Sequence, residues 1–174
     1  MTVASFPEFW LRGPLEGVPP LLQPMAHSLL QTREDAARAA ERLTVEQLWE
    51  RPAGSASAGF HLRHIAGVLD RLLTYARGEA LDETQLATLR AEADSGEGEK
   101  ETAALLDAMR AAIDRAVAAL RDFPDDALLQ ERKVGRQGLP SNVLGLLFHA
   151  AEHAQRHTGQ LIVTARLVAG GDAS

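Results

Sequence analysis

A chain of 174 residues, 45% apolar and with no cysteine, is long enough to bury a core as one domain without disulfides. Its formal charge of −6, with no basic cluster beyond Arg132-Lys133, argues against nucleic acid or an anionic membrane as partner. No apolar run is long enough to span a bilayer, and no basic segment followed by an apolar run marks a leader, so a cytoplasmic protein is expected.

Residues 1–20 hold four prolines and two glycines and read as an irregular lead-in whose Phe6, Phe9 and Trp10 pack on the body. A first helix is expected from Leu21 to Leu43. Leu22, Met25, Leu29, Ala36, Ala40 and Leu43 form its buried stripe, and Arg33, Glu34, Arg38 and Glu41 lie outside. Thr44 to Gln47 has the form of a capping box and predicts a short helix, which Pro52 and Gly54 end.

A second long helix is capped by Ser55 or Ser57 and runs from Ala58 to Arg77, where Gly78 stops it. Ile65, Val68, Leu69, Leu72 and Ala76 face the core, and Arg63, Asp70, Thr74 and Arg77 face water. Residues 82–93 read as a shorter polar helix, and Ser95 to Gly98 as a turn. A third long helix spans Glu101 to Asp122 on Leu105, Met109, Ile113, Val117 and Leu120, and Pro124 stops it. Residues 131–140 read as a glycine-bearing loop. Ser141 or Asn142 caps a last helix that continues to Val168, and residues 169–174 form a frayed tail.

Nothing reads as a strand. The expected fold is therefore all-α: a single domain over residues 1–174, a four-helix bundle of up-down antiparallel helices with additional short helices.

The most informative feature lies on the last helix. His149, His153 and His157 repeat at four-residue spacing, which returns each side chain to nearly the same face one turn along. Three neutral imidazoles on a mostly apolar face are costly to bury unless each nitrogen finds a partner, and a metal satisfies several at once. Consecutive members lie about 6 Å apart along the axis, within reach of one ion. His149 and His157 lie about 12 Å apart, so one pair binds and the third is left over. Spacing leaves both pairs open. On the second helix, His61 and His64 are candidates for a third ligand, and periodicity leans to His61. With no cysteine, a metal here rests on His, Asp or Glu. Glu152 directly precedes His153 and points elsewhere, so no ferritin-like carboxylate site is expected.

The run FHLRHIAGVLDRLLTYARG, followed some ninety residues later by HAAEHAQRHTGQL, resembles the DinB/YfiT-like metalloprotein superfamily over residues 20–168. The resemblance implies a four-helix bundle. It implies a metal site with one histidine from the second helix and an H-x-x-x-H pair from the last, often ending in H-x-G-Q. Here that phrase selects His153 and His157, with Gly159 and Gln160 following, and leaves His149 over. The H-[ILV]-A phrase selects His64, followed by Ile65 and Ala66, over His61. Thr158 departs from the pattern, where a basic residue is common.

Gly159 is read as a point of close helix approach, and Gln160 as a partner of a ligand histidine or a surface residue. Tyr75 and Trp49 are read as packing residues and His27 as a boundary residue. Three histidines leave a divalent ion an open position, the pattern of catalytic rather than structural sites. The superfamily includes thiol-dependent S-transferases and isomerases. The resemblance therefore implies a metal-dependent S-transferase. It would use zinc or nickel and a low-molecular-weight thiol, such as bacillithiol or mycothiol, against a small-molecule electrophile. A metal-dependent hydrolase, and a non-catalytic metal-binding protein closed by a fourth ligand such as His61, are the alternatives. A homodimer is expected, packed through the Ala-rich faces of the first and third long helices.

Overall fold

The computed structural model describes residues 7–93 and 102–170. Four long helices build the body. They are α1 (Gln23–Ala40), α3 (Ala58–Ala76), α5 (Thr102–Ala119) and α6 (Val143–Val168); α2 (Val45–Trp49) and α4 (Glu83–Ala91) are short. Each of α1 and α3 packs on both α5 and α6, so the four stand at the corners of a square with α1 diagonal to α3.

The stripes read from the sequence are the ones that are buried. Leu22, Met25, Leu29, Ala36 and Ala40 on the first helical segment meet Ile65, Leu69 and Leu72 on α3, Met109 and Ile113 on α5, and Leu147 and Leu161 on α6. Removing one such leucine's side chain from water contributes about 1.5–3 kcal/mol. The caps also hold. Thr44 and Gln47 close a reciprocal capping box, and the Ser57 hydroxyl accepts from the Phe60 N–H. At the start of α6, Asn142 rather than Ser141 is the cap, its Oδ1 accepting from the Gly145 N–H at 2.7 Å.

The directions differ from simple alternation. His61 faces His157 while His64 faces His153, so α3 and α6 run antiparallel. Ser28 meets Gln155, while Ala39 and Leu43 lie with Ile162 and Ala165, so α1 and α6 run the same way. Thr102 reaches Leu43 and Asp114 reaches Arg33, so α1 and α5 are antiparallel. It follows that α3 and α5 are parallel. The cause is α4. It doubles back along α3, with Gln85 bonded to Asp70 and Thr74, and with the Ala91 carbonyl bonded by Arg63. The chain thus returns to the start of α3 before α5 begins.

Three local expectations are corrected. Residues 131–142 include a two-stranded antiparallel hairpin, β1 (Glu131–Val134) with β2 (Leu139–Asn142), Val134 opposite Leu139. Gly135 and Gly138 take the positive φ angles (67° and 60°) that close its four-residue turn. Four-residue strands with one β-branched residue and a proline carry almost no strand signal. Thr74 is buried, not solvated, because α4 covers it. Trp10 is 64% exposed, its indole N–H donating to Glu8, while Phe9 is half-buried. Phe6 and the turn at 95–98 lie outside the described residues. Tyr75 and Trp49 pack against the core as expected, and His27 sits at the boundary with its Nε2 3.0 Å from the Gly13 carbonyl.

Candidate metal centre

The site lies where the first turns of α3 meet the middle of α6. Ser57 fixes the start of α3, which puts His61 and His64 one turn apart on its flank against α6. The facing positions of α6 include Ala150, Ala151 and Ala154, small side chains that let the helices approach. His153 and His157 then project into the seam. His64, His153 and His157 each offer one ring nitrogen within 4.8 Å of the others, a group that could hold a metal ion.

The contacts specify which nitrogens are free. His64 Nδ1 lies 2.7 Å from Glu92 Oε2, and a carboxylate only accepts, so Nδ1 carries the hydrogen and, in the neutral ring, Nε2 keeps its lone pair. That Nε2 is 2.9 Å from His153 Nε2. Two lone pairs at this distance repel unless a hydrogen or a cation lies between them. Two metal–nitrogen bonds of about 2.0–2.1 Å, opened between a right angle and the tetrahedral angle, span about 2.9–3.4 Å. The residues therefore fit a divalent ion. His157 Nδ1 is 3.0 Å from His61 Nδ1, which leaves Nε2 as the free nitrogen of His157. Its ring centre lies 4.2 Å from that of His64 and 4.7 Å from that of His153.

Burial favours the neutral form of His61, His153 and His157, the form of imidazole that binds metal. Desolvation and the nearby His64 push His61 down to about 4 and His157 down to about 3. His153 is lowered by the same two causes. The Phe60 ring stacks on His64 at 5.2 Å and 16°, and closes one side with an apolar face.

The residues left over fall at the rim. His149 is exposed, its Nδ1 3.3 Å from Glu152 Oε2. His149, Glu152 and His153 form a second cluster of possible ligands, but Arg156 pairs with Glu152 and holds its carboxyl below the usual range. His61 is 3% exposed and backs His157. Gly159 does not meet a neighbouring helix. A Cβ there would touch nothing within 4 Å, and the residue is exposed. It lines a cavity of about 660 Å³ with His61, Arg156, Gln160, Val163 and Leu167. Gln160 is exposed on the same wall. Thr158 turns inward, its hydroxyl bonded to the Ala154 carbonyl, so it is no part of the rim.

Sequence reasoning missed Glu92 and Arg71. Glu92, just past α4, is 3% exposed; its Oε1 accepts from Arg71 Nη1 at 2.6 Å and its Oε2 faces His64. One buried carboxylate among 24 acidic residues has no periodic signal. The clue in the sequence is Gly67, one turn after His64, where a Cβ would lie 2.4 Å from Glu92 Oε1 and 2.6 Å from Arg71 Nη1.

The family model for the DinB superfamily matches residues 28–161. A conserved protein from Enterococcus faecalis has a similar fold, with a TM-score of 0.67 at 22% identity, over 86% of this chain and 97% of that one. A DinB-like protein from Bacillus cereus gives 0.63 at 20% identity, over 83% and 91%. No curated protein matches the chain. Among the described residues, no helix is long and apolar enough to cross a membrane.

Proposed function

The chain belongs to the DinB superfamily, and from its site we propose that it is a divalent-metal-dependent enzyme, a thiol S-transferase in which His64, His153 and His157 hold the ion. The observation that carries this reading is the 2.9 Å approach of two imidazole Nε2 atoms, with the third imidazole beside them. Three protein ligands leave a position for substrate. Among the described residues no fourth His, Asp or Glu joins this group. His61, the fourth ligand that a closed and non-catalytic site would use, is engaged with the opposite nitrogen of His157.

A divalent ion in this place supplies Lewis acidity, lowering the pKa of a thiol or water at its open position. The chain's own groups do the rest. His64, His153 and His157 bring their nitrogens toward one point. Phe60 keeps water from one flank. The cavity beside His61, with Val163 and Leu167 on its wall and Arg156 and Gln160 at its edge, receives the electrophile. In the proposed reaction the thiol sulfur would bond to the electrophilic carbon as that carbon's bond to its leaving group breaks. The thiol proton would pass to solvent, and the leaving group would depart with the bonding electron pair. The absence of cysteine agrees with a nucleophile brought by the cosubstrate.

The test is elemental analysis of protein purified without a tag, beside His64→Ala. About one zinc or nickel per chain, lost in the variant, is the expected result. Thiol is then titrated into cobalt-loaded protein, where a thiolate-to-cobalt absorption band supports S-transfer. No band, with turnover of a hydrolytic substrate, favours hydrolysis. No metal after incubation with zinc or nickel removes the enzyme reading.

A further inference from the structure

The α4 segment is held almost entirely by polar contacts. None of its residues from Glu83 to Ala91 is buried, yet the residue that follows, Glu92, is sunk to 3% exposure beside Arg71 at 7%. A buried Arg–Glu pair is at best a weak source of stability, because desolvating both charges offsets their attraction. This one also lacks room for any side chain at position 67. Its geometry makes sense as a device for orienting a third group. Glu92 splits its two oxygens, Oε1 to Arg71 and Oε2 to His64 Nδ1. Arg71 has only donors and is permanently charged, so it keeps Oε1 and leaves Oε2 for the imidazole.

We propose that Glu92, braced by Arg71, is a positioning residue of the metal centre: it fixes His64 with its hydrogen on Nδ1 and its lone pair on Nε2, toward His153 and His157. The proposal rests on the function proposed above for its use of a metal, but the orientation of His64 is a property of the metal-free chain as well. Without the acceptor, a neutral imidazole divides between two tautomers, and the form with hydrogen on Nε2 cannot ligate from that atom.

Glu92→Gln tests this with almost no change in size. Its single oxygen cannot serve both partners. Arg71 takes it, and the amide NH2 then faces His64 Nδ1 and donates to it, which moves the imidazole hydrogen to Nε2. In Glu92→Gln/Arg71→Met the amide is free to turn its oxygen back to His64. The first readout is the tautomer of His64 by long-range ¹H–¹⁵N NMR in the metal-free full chain. The second is zinc affinity by competition with a chelator.

The expected pattern is an Nδ1–H tautomer in the wild type, reversal in Glu92→Gln with affinity lower by roughly 10–100-fold, and recovery of both in the double variant. A residue that only anchored α4 would change melting temperature and leave both readouts alone. An Nε2–H tautomer in the wild type overturns the proposal, even if Glu92→Gln does not fold. So does an unchanged zinc affinity in Glu92→Gln. If the wild type binds no zinc while the tautomers behave as described, the proposed function fails and the control of His64 by Glu92 stands.

Discussion

His61 Nδ1 lies 3.0 Å from His157 Nδ1, so the two imidazoles of adjacent helices meet at the nitrogens that point away from the candidate metal position. One must donate and the other accept. With His157 ligating through Nε2, its Nδ1 carries the hydrogen and His61 accepts it. His61 then stands to His157 as Glu92 stands to His64, a partner behind the ligand that selects the tautomer. The third ring differs: His153 Nδ1 is buried and has no hydrogen-bond partner.

Substitution of single histidines separates ligands from neighbours. His153→Ala and His157→Ala are each expected to abolish stoichiometric metal binding, since two remaining imidazoles from α3 and α6 hold an ion weakly. His149→Ala is expected to retain it, because that ring is exposed and pairs with Glu152. Zinc content after dialysis decides the matter. Full occupancy in His157→Ala would sink the ligand assignment.

The metal-free protein should lose stability in mild acid. His61 titrates at about 4 and His157 at about 3 in the folded chain, against an ordinary 6.5. Between about pH 6.5 and 4 the unfolded chain therefore binds protons that the folded chain refuses. Stability rises with pH through that window, is complete above it, and falls as pH drops toward 4. Melting temperature is expected to be lower by about 5 °C or more at pH 5 than at pH 7.5. His61→Phe, which removes one of these groups, should flatten the difference. Equal melting temperatures at the two pH values would contradict the burial argument.

Gly67→Ala is expected to weaken metal binding without altering a proposed ligand. A Cβ there falls within 2.4 Å of Glu92 Oε1 and 2.6 Å of Arg71 Nη1, so the pair must shift away from His64. Alanine gains about 1 kcal/mol of helix propensity over glycine, and displacing a buried ion pair costs more than that. Net destabilisation of about 1–2 kcal/mol is expected in chemical denaturation, with zinc affinity reduced several-fold. A stabilised variant with wild-type affinity would show that the Glu92–Arg71 pair relaxes freely.

The bundle and the histidines were legible because both are written in helical periodicity. Leu105, Met109, Ile113 and Val117 repeat at the pitch that buries them, and His153 and His157 repeat at the pitch that stacks them. Periodicity leaned to His61 and only the family resemblance selected His64, since both lie on the flank of α3 that faces α6. The two rings differ in what stands behind each, Glu92 in one case and His157 in the other, and this favours His64 as the proposed ligand. That information crosses from α4, twenty-eight residues away, and no local pattern carries it. The parallel course of α3 and α5 was hidden for the same reason. It depends on α4 folding back, and α4 has a weak apolar face and docks through polar contacts. The hairpin escaped because its strands are too short and too poor in β-branched residues to alternate visibly.

Two helical glycines make opposite predictions from the same substitution. At Gly59 a Cβ would lie 2.8 Å from the Trp49 ring, which is rigid and covered by the Arg63 guanidinium at 4.7 Å. Gly59→Ala is therefore expected to destabilise by about 1–3 kcal/mol, as overpacking does. At Gly159 a Cβ meets nothing within 4 Å, and alanine should stabilise α6 by about 0.5–1 kcal/mol. The added methyl lies on the wall of the cavity beside His61. If that cavity receives substrate, Gly159→Ala raises KM while zinc content stays at the wild-type level and melting temperature rises. Loss of stability in Gly159→Ala would restore the reading in which this glycine serves a close helix contact.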